Sequence, residues 1–268
     1  MKYRLVATDL DGTLIERGGS IVSSAKGVIR RAIDRGIKVT LATGRMYKPS
    51  NQFAQELGIC MPLICYQGAM VREPDNQDIL WHKPLSVSLA RKVIKVIKHI
   101  KQLDVQWYVY VDDEMYVEEI KDGDLWYAER NWVEIHLVED LCDSLGKPPT
   151  EIAVRGESSQ LDHLMTRLDA RFGSDLLVTN TYPSFREIAH PTAGKGNALA
   201  FLAKRLGIER GEVVAIGDSH NDISMLKWAG LGIAVGNAPE EVRAVADWVV
   251  DAGTEDSFAQ AMEKLLDM

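Results

Sequence analysis

The chain has 268 residues, 46% hydrophobic and 26% charged, with a formal net charge of -8. This is enough apolar material for one large domain or two modest ones, and the acidic balance excludes a broad basic surface for a nucleic-acid backbone. Cys60, Cys65 and Cys142 form no CxxC pair and no zinc-spaced Cys/His cluster, no segment reaches the roughly 20 apolar residues of a membrane span, and Met1-Lys2-Tyr3-Arg4 does not open a signal peptide. The expectation is a cytoplasmic protein with reduced thiols, bound neither to nucleic acid nor to a membrane; its oligomeric state is not legible.

Leu5-Val6-Ala7 reads as a buried strand delivering Asp9, and Ile37 to Ala42 as a second ending at Thr43. Between them Val28, Ile29, Ala32 and Ile33 form the apolar stripe of a helix that Ser23 or Ser24 can cap and Gly36 ends. Gly44 is expected to open the next helix. From about residue 83 to 187 the pattern changes: Val105–Val111 and Glu151–Arg155 read as strands, beside helices from about Ser86 to Gln102 and from Ser158 to Phe172. The α/β alternation then resumes, with Val213–Ile216 delivering Asp218, Gly232–Val235 delivering Gly236-Asn237-Ala238, and helices from about Ser219 and Pro239. The fold class is therefore α/β: a Rossmann-like parallel-sheet core built from 1–82 and 188–268, carrying an inserted α+β domain over 83–187.

Chemistry concentrates where strands end, which is where open α/β sheets present their ligand groups. In Asp9-Leu10-Asp11-Gly12-Thr13, Asp9 can act as a carboxylate nucleophile on phosphorus, and Asp11, turned back by Gly12, as general acid and then base. The same string occurs in calcium loops, but Ser20 stands where an EF-hand needs glutamate. In Gly217-Asp218-Ser219-His220-Asn221-Asp222 two carboxylates lie four residues apart and can face one cation. Hard oxygens with room for water favour Mg²⁺, while helix capping by Asp218 or Ser219 is compatible with the same role. Four carboxylates around a phosphate dianion would repel it without such a cation. Lys195 and the hydroxyl and amides of Thr43-Gly44-Arg45 can supply further positive potential to the phosphoryl group.

Taken in chain order, Asp9–Thr13, Thr43–Arg45, Lys195 and Gly217–Asp222 resemble the four motifs of the haloacid dehalogenase-like hydrolases, specifically the Cof-type phosphatases with a class IIB cap, and the likeness covers nearly the whole chain. It implies that Asp9 is the nucleophile, Asp11 the acid/base, Thr43 and Lys195 the phosphate holders, and Asn221 a phosphate or substrate contact. It also implies Mg²⁺ held by Asp9, the main-chain carbonyl of Asp11 and Asp218, with Asp222 supporting the site. The implied activity is hydrolysis of a small phosphomonoester, a sugar phosphate or similar metabolite, through an aspartyl-phosphate. Gln67 departs from the family's usual asparagine, Ser257 from a frequent glycine, and Thr192-Ala193-Gly194 from the usual small-residue run.

Two readings of other classes compete: a phospho-accepting switch and a non-catalytic sugar-phosphate sensor. An inserted unit of about 100 residues and the acid two positions after the nucleophile both favour turnover. Trp81, Trp107, Trp126 and Trp132 are expected in the core of the middle segment. His136, His163 and His190 lack i,i+4 ligand partners, which argues against zinc. His220 falls inside the fourth motif, its side-chain direction unspecified.

Overall fold

A computed structural model describes residues 2–15, 20–100, 104–180, 183–251 and 257–268. In chain order the elements are β1 (Leu5–Thr8), α1 (Ser23–Asp34), β2 (Lys38–Leu41), α2 (Tyr47–Leu57), β3 (Leu63–Cys65), β4 (Met70–Arg72) and β5 (Ile79–His82). There follow α3 (Val87–His99), β6 (Val105–Val111), β7 (Glu114–Val117), α4 (Asp124–Arg130), β8 (Ile135–Leu137), α5 (Leu141–Ser144), β9 (Glu151–Gly156), α6 (Ser158–Phe172), β10 (Leu177–Thr179) and β11 (Phe185–Ala189). The chain closes with α7 (Lys195–Arg205), β12 (Val213–Gly217), α8 (Ile223–Trp228), β13 (Leu231–Gly236), α9 (Glu240–Arg243), β14 (Trp248–Asp251) and α10 (Ser257–Leu266). The chain divides into two compact units, one of residues 1–81 and 194–268, the other of 82–193.

The first unit holds a parallel sheet in the order β14-β13-β12-β1-β2. Leu5, Val6 and Ala7 of β1 and Val213 to Ile216 of β12 are fully buried, as strands covered on both faces must be, which is why they read as unbroken apolar runs. Because β1 leads to β2 on one side and lies against β12 on the other, the sheet order reverses at β1. A crevice at such a switch point is where an α/β sheet can receive a ligand.

The second unit is an α+β body around a sheet in the order β10-β11-β9-β6-β7-β8, largely antiparallel, with β7 and β8 parallel. Alternation along β6 and β9 sends Val105, Val109, Ile152 and Val154 into a core with Leu161 and Leu164 of α6. On the other face lies a polar cluster. Buried Asp124 accepts from the Gln106 amide, the Tyr108 hydroxyl and the Arg155 guanidinium, at 2.7, 2.7 and 2.9 Å.

Several local expectations are corrected. Val22, not Ser23 or Ser24, is the N-cap of α1, and Ile33 is only partly buried. The helix after Thr43 opens at Tyr47, because Gly44 and Arg45 stay in a bend tied to the Tyr66–Gly68 turn through the Arg45 carbonyl, which accepts from Tyr66 N–H at 2.9 Å. Ser86 caps α3, its hydroxyl accepting from Leu89 N–H at 3.2 Å; the helix ends at His99, and the expected end at Gln102 lies outside the described residues. A 3-10 turn over His220–Asp222 precedes α8 where a helix from Ser219 is expected. The tryptophans do not share a core. Trp81 packs on Phe201 in the first unit with ring centroids 5.0 Å apart, whereas Trp126 and Trp132 are 62% and 55% exposed. No helix among the described residues is long and apolar enough to cross a membrane.

Candidate active site

Three adjacent strands deliver the chemistry-bearing side chains of the first unit. Asp9 follows β1, Thr43 follows β2 and Asp218 follows β12, so strand order alone places them at neighbouring carboxyl ends. The Asp9 amide donates to the Ile216 carbonyl at 2.8 Å, extending the β1–β12 ladder up to Asp9 itself. Lys195, the first residue of α7, is 1% exposed and its ammonium lies 2.6 Å from both Asp9 Oδ1 and Asp222 Oδ1.

Asp222 organises the loop after β12. Its Oδ2 accepts the amides of Asp218 and Ser219, each at 3.0 Å, while Oδ1 holds Lys195. Thr13 donates its hydroxyl to Asp218 Oδ1 at 2.7 Å, joining the turn after β1 to the loop after β12. Gly12, at φ +84, lets the chain pass there: a Cβ at this position would sit 2.4 Å from Asp218 Oδ2. The role of Thr13 is not legible in the sequence. A contact spanning 205 positions leaves no local pattern, and its only signal is its place in the first motif.

Asp11 points elsewhere. Its two carboxylate oxygens are gripped by Arg45, Nε to Oδ2 at 2.7 Å and Nη2 to Oδ1 at 2.6 Å. Arg45 thereby enters the site through its guanidinium, while its amide donates to Thr43 Oγ1 at 3.1 Å. Gln67, the departure from the usual asparagine, accepts from Asn221 Nδ2 at 2.9 Å, and its Nε2 fills the space where a Cβ on Gly44 would project. The second motif and the loop after β12 are thus linked through Gln67.

The charges are in tension. Burial pushes the Asp9 carboxyl well above the ordinary carboxylate value, and Asp222, Asp218 and Asp11 push it the same way against Lys195. Asp218 is pushed up to about 6, by burial first and Asp222 second. Burial alone would lower the Lys195 ammonium, but Asp222 and Asp9 outweigh it and hold it above its ordinary value. One oxygen from each of Asp9, Asp218 and Asp222 lies within 4.8 Å of the others, an all-oxygen set that fits a hard divalent cation and would have its mutual repulsion relieved by one.

The model of the haloacid dehalogenase-like hydrolase family matches residues 6–262. The chain belongs to that family. A haloacid dehalogenase-like hydrolase from Bacteroides thetaiotaomicron superposes with a TM-score of 0.86 at 27% identity, covering 98% of this chain and 99% of that one. The pyridoxal phosphate phosphatase YbhA of Escherichia coli is 29% identical over 272 residues, 97% of each chain. A sugar phosphatase described as subclass IIB, at 20% identity and a TM-score of 0.82 over 99% of this chain and 100% of that one, shares the fold. This hydrolase is thus an enzyme of the phosphatase type.

Proposed function

We propose that the enzyme hydrolyses small phosphomonoesters through an aspartyl-phosphate on Asp9. The observation that carries this reading is the placement of Asp9 at the end of β1, at the sheet's switch point, in contact with a buried lysine. An Asp9 oxygen attacks phosphorus and the ester P–O bond breaks, with Asp11 delivering a proton to the departing alkoxide. Asp11, now a carboxylate, then removes a proton from water as that water attacks the acyl phosphate, releasing inorganic phosphate and restoring the Asp9 carboxylate and the protonated Asp11. Lys195 and the Thr43 hydroxyl face the charge that develops on the phosphoryl oxygens. The Gly44 amide and Asn221 are the further contacts we assign to the phosphate or substrate, the Arg45 amide being committed to Thr43 Oγ1.

Asp9, the main-chain carbonyl of Asp11, and Asp218 are the residues that would hold Mg²⁺. Asp222 supports the arrangement from behind, since both its oxygens already serve Lys195 and the loop amides. A bound Mg²⁺ would offset the carboxylate charge and polarise the phosphoryl group. The unit of residues 82–193 is the part we assign to substrate choice, with the chemistry-bearing residues all in the other unit. The phosphorylated cofactor named for the relative YbhA supports a metabolite-sized substrate.

The test is phosphate release from a panel of sugar phosphates, phosphorylated cofactors and p-nitrophenyl phosphate, with Mg²⁺, after dialysis against EDTA, and after Mg²⁺ is restored. Release that EDTA abolishes and Mg²⁺ recovers is expected. Full activity in EDTA would remove the cation from the account, and no release from any ester would overturn the phosphatase reading.

A further inference from the structure

The edge of the second unit's sheet carries a donor set with no part in phosphoryl transfer. β7 and β8 run parallel with Met115 opposite Ile135 and Tyr116 opposite His136. Alternation along a strand then sets Glu114 and Tyr116 on the same face as Glu134 and His136. Sequence spacing gave no sign of this, because the ligands meet across paired strands and not at helical i,i+4 positions.

One donor atom from each of Glu114, Glu134 and His136 lies within 4.8 Å of the others. His136 Nε2 is 3.9 Å from Glu134 Oε2, too far for a hydrogen bond, and although its ring is partly exposed this nitrogen is shielded from solvent and makes no hydrogen bond among the described residues. A shielded ring nitrogen left unpaired carries a desolvation cost that a ligand would offset. The set is also held in place. Tyr116 stacks on the imidazole with centroids 4.6 Å apart, and Glu114 Oε2 accepts the Glu134 amide at 2.8 Å, which ties the carboxylate to the neighbouring strand.

We propose that Glu114, Glu134 and His136 bind a divalent transition-metal ion of the zinc type, completed by water. Two carboxylates and an imidazole are a donor set for such ions, whereas Mg²⁺ favours oxygen alone. The ion would tie β8, a three-residue strand at the edge of its sheet, to β7.

The experiment is equilibrium dialysis of the full chain against Zn²⁺ in excess Mg²⁺, with Asp218→Asn as the common background so that zinc at the phosphate site is weakened equally throughout. Against that background, His136→Ala and Glu114→Gln should each lose one equivalent of tightly bound Zn²⁺. The affinity of that equivalent should fall by at least the roughly 10–100-fold seen when even an outer partner of a metal ligand is removed. His136→Gln, which keeps a polar side chain of similar reach, guards against misfolding, and the His136 ring signals in the NMR spectrum of the unsubstituted chain should shift on adding Zn²⁺. Equal zinc stoichiometry with and without His136, or ring signals unmoved by Zn²⁺, would overturn the proposal and leave His136 as a neighbour of the two glutamates with no metal role.

Discussion

Arg45 grips Asp11 at two points, 2.7 and 2.6 Å, across 34 positions of sequence, so the proposed acid/base rests as a carboxylate oriented by a guanidinium and not left to solvent. Fork-shaped pairing of this kind fixes direction as well as distance. For Asp11 to reach a departing oxygen the pair must loosen, and a phosphate dianion competing for Arg45 provides the means.

Arg45→Ala should therefore lower kcat roughly tenfold or more on a sugar phosphate, whose alkoxide needs a proton, and less on p-nitrophenyl phosphate, whose leaving group does not. Steady-state kinetics on the two esters separate the cases. Equal losses on both would make Arg45 a phosphate-binding residue instead of one that positions Asp11.

Lys195→Met should cost about 3 kcal/mol of transition-state stabilisation, about 10²-fold in kcat, the scale of losing one preorganised donor. It should also lower stability, because Asp9 and Asp222 lose the cation buried between them. Kinetics are to be measured at a temperature where circular dichroism shows the variant folded. A rise in KM with kcat intact would reduce Lys195 to a binding role.

A third expectation concerns the second unit. Glu151 is buried, its Oε2 has no hydrogen-bond partner among the described residues, and burial first and Glu187 second raise its carboxyl well above the ordinary glutamate value of 4.5. A carboxyl raised in the folded state holds its proton there after the unfolded chain has released its own, so stability falls as pH climbs above 4.5 towards the folded value. Glu151→Gln removes that penalty. Urea denaturation at pH 4 and pH 8 should show the variant gaining on the wild type only at the higher pH, and a difference independent of pH would contradict the assignment.

How far the sequence was legible follows from which contacts are local. Leu5–Ala7 and Val213–Ile216 announced a buried parallel sheet because both faces are covered, and strand ends then located Asp9, Thr43 and Asp218. Short elements such as β7 and β8 carry too few residues to show a period, and with them the meeting of Glu114, Glu134 and His136 was lost. Gly44 reads as a helix start from composition, yet the hydrogen bonds of the Tyr66–Gly68 turn hold that stretch in a bend until Tyr47. The exposure of Trp126 and Trp132 was equally hidden, since side-chain bulk favours a core and only the packing of α4 and its flanking loop decides otherwise.

The central claim is that Asp9 accepts the phosphoryl group, and it is tested most directly by rapid acid quench of the enzyme during turnover, followed by peptide mass spectrometry. The account predicts one phosphoryl group on the peptide bearing Asp9, labile to hydroxylamine as an acyl phosphate is, and absent from Asp9→Asn, which should be folded and inactive. A phosphoryl group on any other residue, or turnover by Asp9→Asn near the wild-type rate, would contradict it.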